Sequence, residues 1–370
     1  MARGRPIIEP PAFEAPSLPR RIPALDGLRA VAIVLVVLVH AAPTAGFPPA
    51  LAWVHTLQSL GVRIFFVISG FLITALLLQE REATGEISLR RFYVRRVLRI
   101  FPAFYAYIAV ILVLSAGGWI ILLPGDLAHA LTYTMNYNYP AAWEVWHIWS
   151  LSIEEQFYVL WPLLLVLAGT RRACLGAAAV VVITPLIRIA MWYGWPVRDE
   201  MAGHFQMVAD SLAVGCLLAG SYNWLGRQGW YMRLLTSRWF VLVPLIVLAT
   251  HELHWRPRTF LVAQTITHIA IGLCLDRCVR VRSRWTDGVL SSAPLRYVGA
   301  LSYSLYLWQQ PFLTKVETPL TSFPQNVVLA VACALASYHL VERPCLRLKA
   351  RLGQRTRLDA VASATLSEVR

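Results

Sequence analysis

A series of long apolar runs constrains the fold of this chain more than any other feature. About 20 mostly apolar residues suffice for a helix to cross a bilayer. Only 15% of the 370 residues are charged, against about 25% in soluble domains. We therefore predict an all-α, polytopic membrane protein with about ten transmembrane helices. The candidate runs lie roughly at 25–42, 58–79, 100–122, 148–168, 173–195, 204–221, 238–252, 259–278, 295–314 and 326–342.

The basic residues are distributed unevenly between the segments that join these runs. The net charge is +14, and with the N-terminus inside, 27 of the 34 Lys and Arg fall in inner segments and 4 in outer ones. Cytoplasmic loops collect Lys and Arg in this way. The pattern predicts that both termini are inside (N-in/C-in) in the cytoplasmic (inner) membrane, surrounded by lipid. It explains the charge without nucleic acid as a partner.

Two polar tails flank the apolar part of the chain. Residues 1–22 are rich in proline and arginine and lack the early apolar core of a cleavable signal peptide. Residues 347–370 are polar. We expect cytoplasmic tails at 1–22 and 347–370, a transmembrane domain over 23–346, and no further domain.

Several ionisable residues lie within or at the edge of the apolar runs, where each costs about 2.5–3.5 kcal/mol unless it is paired or hydrated. A rise of 1.5 Å per residue places most of them at similar depths in the outer half of the bilayer. The sequence therefore predicts one shared polar site there. An ion pair between Asp210 and Arg188 that only stabilises the fold is the alternative for those two. The residues are Arg29, His40, Arg63, Glu154, Glu155, Arg188, Asp210 and His268.

Two groups of residues indicate a long ligand with an anionic head. Arg29 and His40 are eleven residues apart, close to three helical turns, so they project from one face about 16 Å apart. The segment 89–99 carries five arginines, among which Arg96 and Arg99 share a face if the segment is helical. Guanidinium groups suit phosphate. The alternative is a positive-inside anchor that contacts anionic lipids.

Seven stretches of the sequence resemble the acyltransferase 3 family of integral membrane acyltransferases. Single pieces are weak signals, but all seven in order are highly specific. They are IPALDGLRAVAIVLVVLVH at 22–40, GVRIFFVISGFLIT at 61–74, RRFYVRRVLRIFP at 90–102, HIWSLSIEEQFYVLWP at 147–162, DSLAVGCLLA at 210–219, YVGALSYSLYLWQQPF at 297–312 and ERP at 342–344.

The resemblance implies an acyl-CoA donor, most often acetyl-CoA, and a hydroxyl acceptor on a glycan or a secondary metabolite. The family's Arg-x10-His pair falls on Arg29 and His40, and its Arg-x-x-Arg pair falls on Arg96 and Arg99. The chain departs from the family at Arg63, a position that is often acidic or neutral, so Arg63 is given no catalytic role. It also departs where Gln309 replaces a frequent histidine, which puts a second-histidine mechanism in doubt.

These residues predict a mechanism in which His40 is the general base, because the ordinary pKa of histidine lies near working pH. Glu154 or Glu155 would orient the imidazole, with Glu154 preferred. The phosphates of CoA would be held by Arg29, Arg96 and Arg99, and no metal is expected. An acyl-enzyme at Ser150 or Ser152 is less favoured, because no nucleophile elbow surrounds them. The substrate cavity is predicted to include Asp210, Arg188, Tyr303, Tyr306, Trp308 and Gln309.

Two other functions fit part of the sequence. A transporter or flippase with a buried proton relay would explain buried His40, Glu154 and Asp210 equally well. It would not explain the arginine pair beside the inner surface or the family motifs. An inactive relative that only binds a glycan would be favoured by loss of the Arg-x10-His pair, and the pair is present.

Overall fold

The computed structural model describes residues 22–194, 203–253 and 259–349, and within these ranges the chain is helical with no strand. The prediction of an all-α fold is confirmed. Most of the predicted tails, at 1–21 and 350–370, lies outside the described residues. The nine longer helices are α1 (Pro23–Ala41), α2 (Leu60–Thr84), α3 (Leu89–Ala116), α4 (Ile148–Gly194), α5 (Phe205–Gly220), α6 (Leu242–Leu253), α7 (Phe260–Arg280), α8 (Ala293–Trp308) and α9 (Gln325–Ser337).

Shorter helical segments connect these nine helices. Short α-helices are Asp126–Leu131, Trp143–Trp146, Tyr222–Arg227 and Gly229–Thr236, and 3-10 segments are Pro49–Leu57, Met135–Tyr137 and Arg238–Val241. Two π-helical segments are Arg284–Leu290 and Tyr338–Glu342. The second continues α9, so that the helical path reaches Lys349.

In the described part of the chain, six helices are long and apolar enough to cross a membrane, or up to seven if one pair bent by 63° is a single crossing. One of the six includes α4, whose 47 residues would measure about 70 Å if straight. That is more than twice the roughly 30 Å hydrocarbon core. The backbone leaves helical geometry at Gly169, with φ 75° and ψ 165°, so α4 consists of two helices.

α1 and α8 run side by side in the same direction. Arg29 Nη2, in the first half of α1, donates to Ser302 Oγ, just past the middle of α8, at 2.8 Å. His40 and Gln309 meet at 2.8 Å where both helices end. The face of α1 that carries Arg29 and His40 therefore contacts α8 along its length.

α2 packs directly against the backbone of α5. A Cβ atom built on Gly70 would lie 2.0 Å from the carbonyl oxygen of Leu212, and one on Gly215 would lie 2.2 Å from that of Val67. Only glycine at these two positions allows such an approach, which is a usual means of packing helices within membranes.

α9 begins at the end of the molecule where α1 finishes. Asn326 Nδ2 donates to Thr44 Oγ1 at 2.9 Å, and the backbone N–H of Phe323 donates to the Ala45 carbonyl. At the other end of the α9 path, the buried Glu342 accepts a hydrogen bond from Ser304 Oγ at 2.9 Å. α9 therefore runs antiparallel to α1 and α8.

Candidate active site

A cavity of about 1250 Å³ lies between α2, α3, the first half of α4 and α8. This volume exceeds the roughly 300–1,000 Å³ of most ligand pockets. Its lining residues on α2 extend from Val62 to Thr84, about 33 Å along the helix axis. The cavity is therefore long enough to connect one side of a bilayer with the opposite half.

The cavity is strongly basic. Among the described residues, seven basic side chains line it and two acidic ones do. Most of the basic residues are near the start of α3, at the end where α2 finishes. This end suits an anionic ligand. The basic residues are Arg29, Arg90, Arg91, Arg95, Arg96, Arg99 and Lys349, and the acidic ones are Glu80 and Glu154.

The arginines of α3 differ in their partners. Glu80 forms ion pairs with Arg91 at 3.0 Å and with Arg95 at 2.6 Å. The guanidinium of Arg96 instead lies over the ring of Tyr158, 4.0 Å from its centroid. Within the described residues, no carboxylate lies within ion-pair distance of Arg96 or Arg99. These two therefore have a greater capacity to hold an added anion than Arg91 and Arg95.

α8 lines the cavity opposite α2 and α3. Arg29 reaches it through the bond to Ser302, and Tyr303 donates to the Ile100 carbonyl at 3.0 Å. Tyr306 lies at the end farthest from the basic cluster, where its hydroxyl donates to the His147 carbonyl at 2.8 Å. The Ser150 hydroxyl lies 2.6 Å from that of Tyr306 and 3.4 Å from the same His147 carbonyl. Its hydrogen-bond partners among the described residues are thus a hydroxyl and a carbonyl, which do not activate a serine as a nucleophile.

Glu154 lines the cavity but does not contact His40. Its Oε1 accepts a hydrogen bond from Ser69 Oγ on α2 at 2.5 Å. The nitrogen of His40 that a carboxylate would orient, Nδ1, contacts Gln309 instead. The structure therefore has a glutamine, and not the predicted Glu154, in contact with His40. The reason is that Glu154 on α4 faces α2, whereas His40 lies at the interface of α1 and α8.

Glu155 and Trp308 do not line the cavity. One carboxylate oxygen of Glu155, Oε1, is buried without a hydrogen-bond partner among the described residues. Burial, and then the nearby Glu155 carboxylate, raise the pKa of the Tyr133 hydroxyl above its ordinary value. Trp308 packs edge-on against Tyr107, with ring centroids 5.4 Å apart. Both predicted residues therefore lie behind the cavity wall, on the side of α3.

Arg188 and Asp210, predicted in the cavity, lie outside it in a closed ion pair. Arg188 Nη2 is 2.5 Å from Asp210 Oδ1, and both side chains are fully buried. Asp210 also accepts from Thr265 at 2.6 Å and lies 3.1 Å from His268 Nδ1. Arg188 donates to the Met207 carbonyl as well. These contacts hold Arg188 and Asp210 within a buried cluster outside the cavity and match the alternative of a fold-stabilising pair.

His40 lies beside the large cavity, in a separate pocket of about 30 Å³ lined also by Leu57 and Ser59. Val62 is the one residue that lines both spaces. The ring is half-buried, and its edge-to-face neighbour is Trp143, 5.7 Å away between centroids. Among the described residues, Val62 alone is common to the two walls, so it lies between the cavity and the His40 pocket.

Three residues at or near the site carried no prediction of their own from the sequence: Trp143, His147 and Gln310. Gln310 bonds to Gln309 and to Trp143. His147 is buried and interacts electrostatically with His40. Glu342 is buried in the π-helical segment, close enough to interact with Arg99 and Arg29. His147 opens the stretch 147–162 and Gln310 lies in the stretch 297–312, so position in a motif was the available signal for these two.

Among the residues described in the structure, no group of three or more His, Cys, Asp or Glu side chains could hold a metal ion.

Comparison with known proteins identifies the family. A family model described as an acyltransferase domain, that of acyltransferase 3, matches residues 22–340. The chain belongs to the acyltransferase 3 family and is a multi-pass membrane protein.

Two relatives illustrate the similarity. The chain is 29% identical over 383 residues to a Bacillus subtilis protein named "Putative peptidoglycan O-acetyltransferase YrhL", with 88% of this chain and 55% of that protein covered. It is 28% identical over 356 residues to the peptidoglycan O-acetyltransferase OatA of Listeria monocytogenes, with 87% and 54% covered. The chain thus spans about half the length of the curated relatives it matches. No solved structure matches it.

Proposed function

We propose that this chain is an O-acyltransferase of the cytoplasmic (inner) membrane that moves an acyl group from acyl-CoA to a hydroxyl group. The observation that carries the proposal is one cavity, about 33 Å long, with a basic cluster at one end and His40 beside the other. Membership in an acyltransferase family favours this function over a transporter with a buried proton relay.

The basic end of the cavity suits the phosphates of CoA. Arg96 and Arg99 have no carboxylate at ion-pair distance in the described residues, and Arg29 faces them from α1. Guanidinium forks bind phosphate oxygens through charge-assisted hydrogen bonds. The pantetheine arm would extend along α2 toward Val62. An acetyl group is the acyl group most consistent with the names of the relatives.

His40 is the base in this proposal. The acceptor hydroxyl oxygen attacks the thioester carbonyl carbon while a ring nitrogen of His40 takes the hydroxyl proton. The carbon–sulfur bond then breaks, the CoA thiolate leaves, and it receives a proton to give free CoA. His147 is a titratable neighbour of His40. The products are the acyl ester and CoA.

The acceptor is proposed to be a glycan hydroxyl. The relatives are named as peptidoglycan O-acetyltransferases, which favours a cell-wall or exported glycan over a secondary metabolite. The His40 pocket is lined by Leu57 and Ser59, at the end where α1 finishes and α2 begins. In an N-in chain this end is external, which is where an exported glycan is found.

The helices fit ten crossings with both termini inside. Six apolar helices and the bent pair account for seven, and the break at Gly169 divides α4 into two crossings. α5 and α8, each 16 residues long, add two more. With the N-terminus inside, α1 and α8 both run outward. Their parallel contact at Arg29–Ser302 and His40–Gln309 supports this arrangement.

The proposal is tested with the purified chain in lipid nanodiscs. Acetyl-CoA and the N-acetylglucosamine–N-acetylmuramic acid disaccharide are supplied, and free CoA thiol and the mass of the disaccharide are followed. We expect CoA release together with a disaccharide heavier by one acetyl group. Other glycan acceptors are then tested in the same way. If no acceptor and no hydrolysis consumes the thioester, a transport function is favoured instead.

A further inference from the structure

We propose that Gln309, Gln310 and Trp143 form a neutral hydrogen-bond relay that holds His40 in one tautomer, with Nε2 as the basic nitrogen. The inference deepens the proposed function, because it rests on His40 as the base. It assigns Gln309 and Gln310 as positioning residues that act through His40.

The relay is a chain of hydrogen bonds from α8 to the short helix before α4. His40 Nδ1 lies 2.8 Å from Gln309 Oε1. Gln309 Nε2 donates to Gln310 Oε1 at 3.0 Å, and Gln310 Nε2 donates to the Trp143 carbonyl at 2.9 Å. Trp143 Nε1 donates in return to the Gln310 carbonyl at 3.0 Å. The last two bonds fix Gln310 at both its side chain and its backbone.

The direction of every bond follows from the Trp143 carbonyl. A carbonyl oxygen can only accept, so Gln310 must present its NH₂ group there and its oxygen to Gln309. Gln309 then presents its NH₂ group to Gln310 and its oxygen to His40. Because that oxygen can only accept, His40 Nδ1 must carry a proton. Neutral imidazole has one protonated nitrogen, which leaves Nε2 free to take the proton of an attacking hydroxyl.

Burial makes the alternative arrangement costly. Gln309 is 0% exposed and Gln310 is 1% exposed. Turning either amide would place two acceptors or two donors face to face, and a buried polar group left without a partner costs about 1–3 kcal/mol. Reversing the tautomer of His40 requires turning the amides of both Gln309 and Gln310. The Gln310 oxygen would then face the Trp143 carbonyl oxygen, and neither can donate a hydrogen bond. The relay therefore selects one tautomer strongly.

The relay differs from a carboxylate–histidine pair in carrying no charge. Around His40, α8 contributes Gln309, the short helix Trp143–Trp146 contributes the Trp143 ring, and His147 is the titratable neighbour. Glu154 is hydrogen-bonded to Ser69. The relay thus orients the imidazole while adding no negative charge that would favour its protonated form.

The test compares Gln309→Met, Gln309→Glu and His40→Ala by CoA release from acetyl-CoA with the disaccharide, or another acceptor found active. Methionine keeps the side-chain length but removes the acceptor, so we expect kcat to fall about 100-fold, the cost of a misplaced catalytic group, with KM for acetyl-CoA unchanged. Glutamate keeps an acceptor and adds a charge. We expect the acid limb of its activity–pH profile to move to higher pH by about 1–3.

Asn326→Ala is the matched control for loss of a buried amide. Asn326 is fully buried and bonds to Thr44 and to the Thr321 carbonyl near the same end of α1, without contacting His40. It should lower thermal stability while kcat and the pH profile stay as in the wild type. A Gln309→Met variant with wild-type kcat, or a Gln309→Glu variant with an unmoved acid limb, overturns the relay. Activity retained by His40→Ala instead refutes the base assignment in the proposed function.

Discussion

Removing either Arg96 or Arg99 should weaken CoA binding more than removing Arg91 or Arg95. Arg91 and Arg95 share the Glu80 carboxylate at 3.0 and 2.6 Å, so part of their charge is already balanced. Arg96 rests on the Tyr158 ring and keeps its N–H donors for an incoming phosphate. The structure thus ranks four neighbouring arginines by their capacity to bind an anion.

The size of the effect follows from the bonds that would be lost. A hydrogen bond to a charged group contributes about 1.5–3 kcal/mol. We therefore expect Arg96→Ala or Arg99→Ala to raise the Kd for CoA by about 10- to 150-fold. The increase in Kd for the double variant should be smaller than the product of the two single increases, because side chains one turn apart can bind the same phosphate group.

The measurement is isothermal titration calorimetry of CoA into the purified protein in nanodiscs, at low and at physiological salt. Arg172→Ala is the matched control, since Arg172 is an exposed arginine that does not line the cavity. Its Kd should equal that of the wild type. If the single variants and the double variant also bind CoA with wild-type affinity, the basic cluster is a positive-inside anchor and not a donor site.

Three further predictions address the path to His40, the closed ion pair and Glu154. Because Val62 lines both spaces, Val62→Phe should slow acetyl transfer with little change in CoA affinity, and Val62→Ala should accept propionyl-CoA better. Both are measured by CoA release with each donor, and equal rates in the wild type and the two variants would contradict this. Asp210→Ala should lower the free energy of unfolding by about 3–5 kcal/mol, because it leaves Arg188 buried and unpaired. The change is measured as a lower Tm, and a Tm equal to that of the wild type would refute it. Glu154→Gln should leave the acid limb of the activity–pH profile in place, since Glu154 contacts Ser69, whereas a shifted limb would restore Glu154 as the partner of His40.

Spacing along one helix was sufficient to predict part of the site. Arg29 and His40 lie on one face of α1 because eleven residues make about three turns, and both contact α8 in the structure. The helical class followed in the same way from the length of the apolar runs. Such predictions depend only on local geometry, which the sequence specifies directly.

Depth in the membrane could not determine which polar groups meet. Asp210 was predicted at a depth close to that of His40, yet it bonds to Arg188 and Thr265 on other helices. Depth follows from residue count, whereas the direction in which a side chain points around the helix bundle depends on tertiary packing. The close contact of α2 with α5 at Gly70 is one such determinant.

The neutral members of the site gave no signal in the charge pattern. Gln310 and Trp143 are ordinary residues for the end of a membrane helix, and their bonds to one another depend on bringing together segments 167 residues apart in sequence. Gln309 drew attention only because it departs from the family motif. A search for ionisable residues finds His40, the proposed base, but misses the neutral groups hydrogen-bonded around it.

The most direct measurement is a cryo-electron microscopy structure of the His40→Ala variant with acetyl-CoA, in which the donor can bind but the base is removed. The account predicts phosphate density beside Arg96 and Arg99, with the thioester next to Val62 and facing position 40. Donor density in another part of the molecule, or a thioester held at the basic end far from Val62, would contradict it.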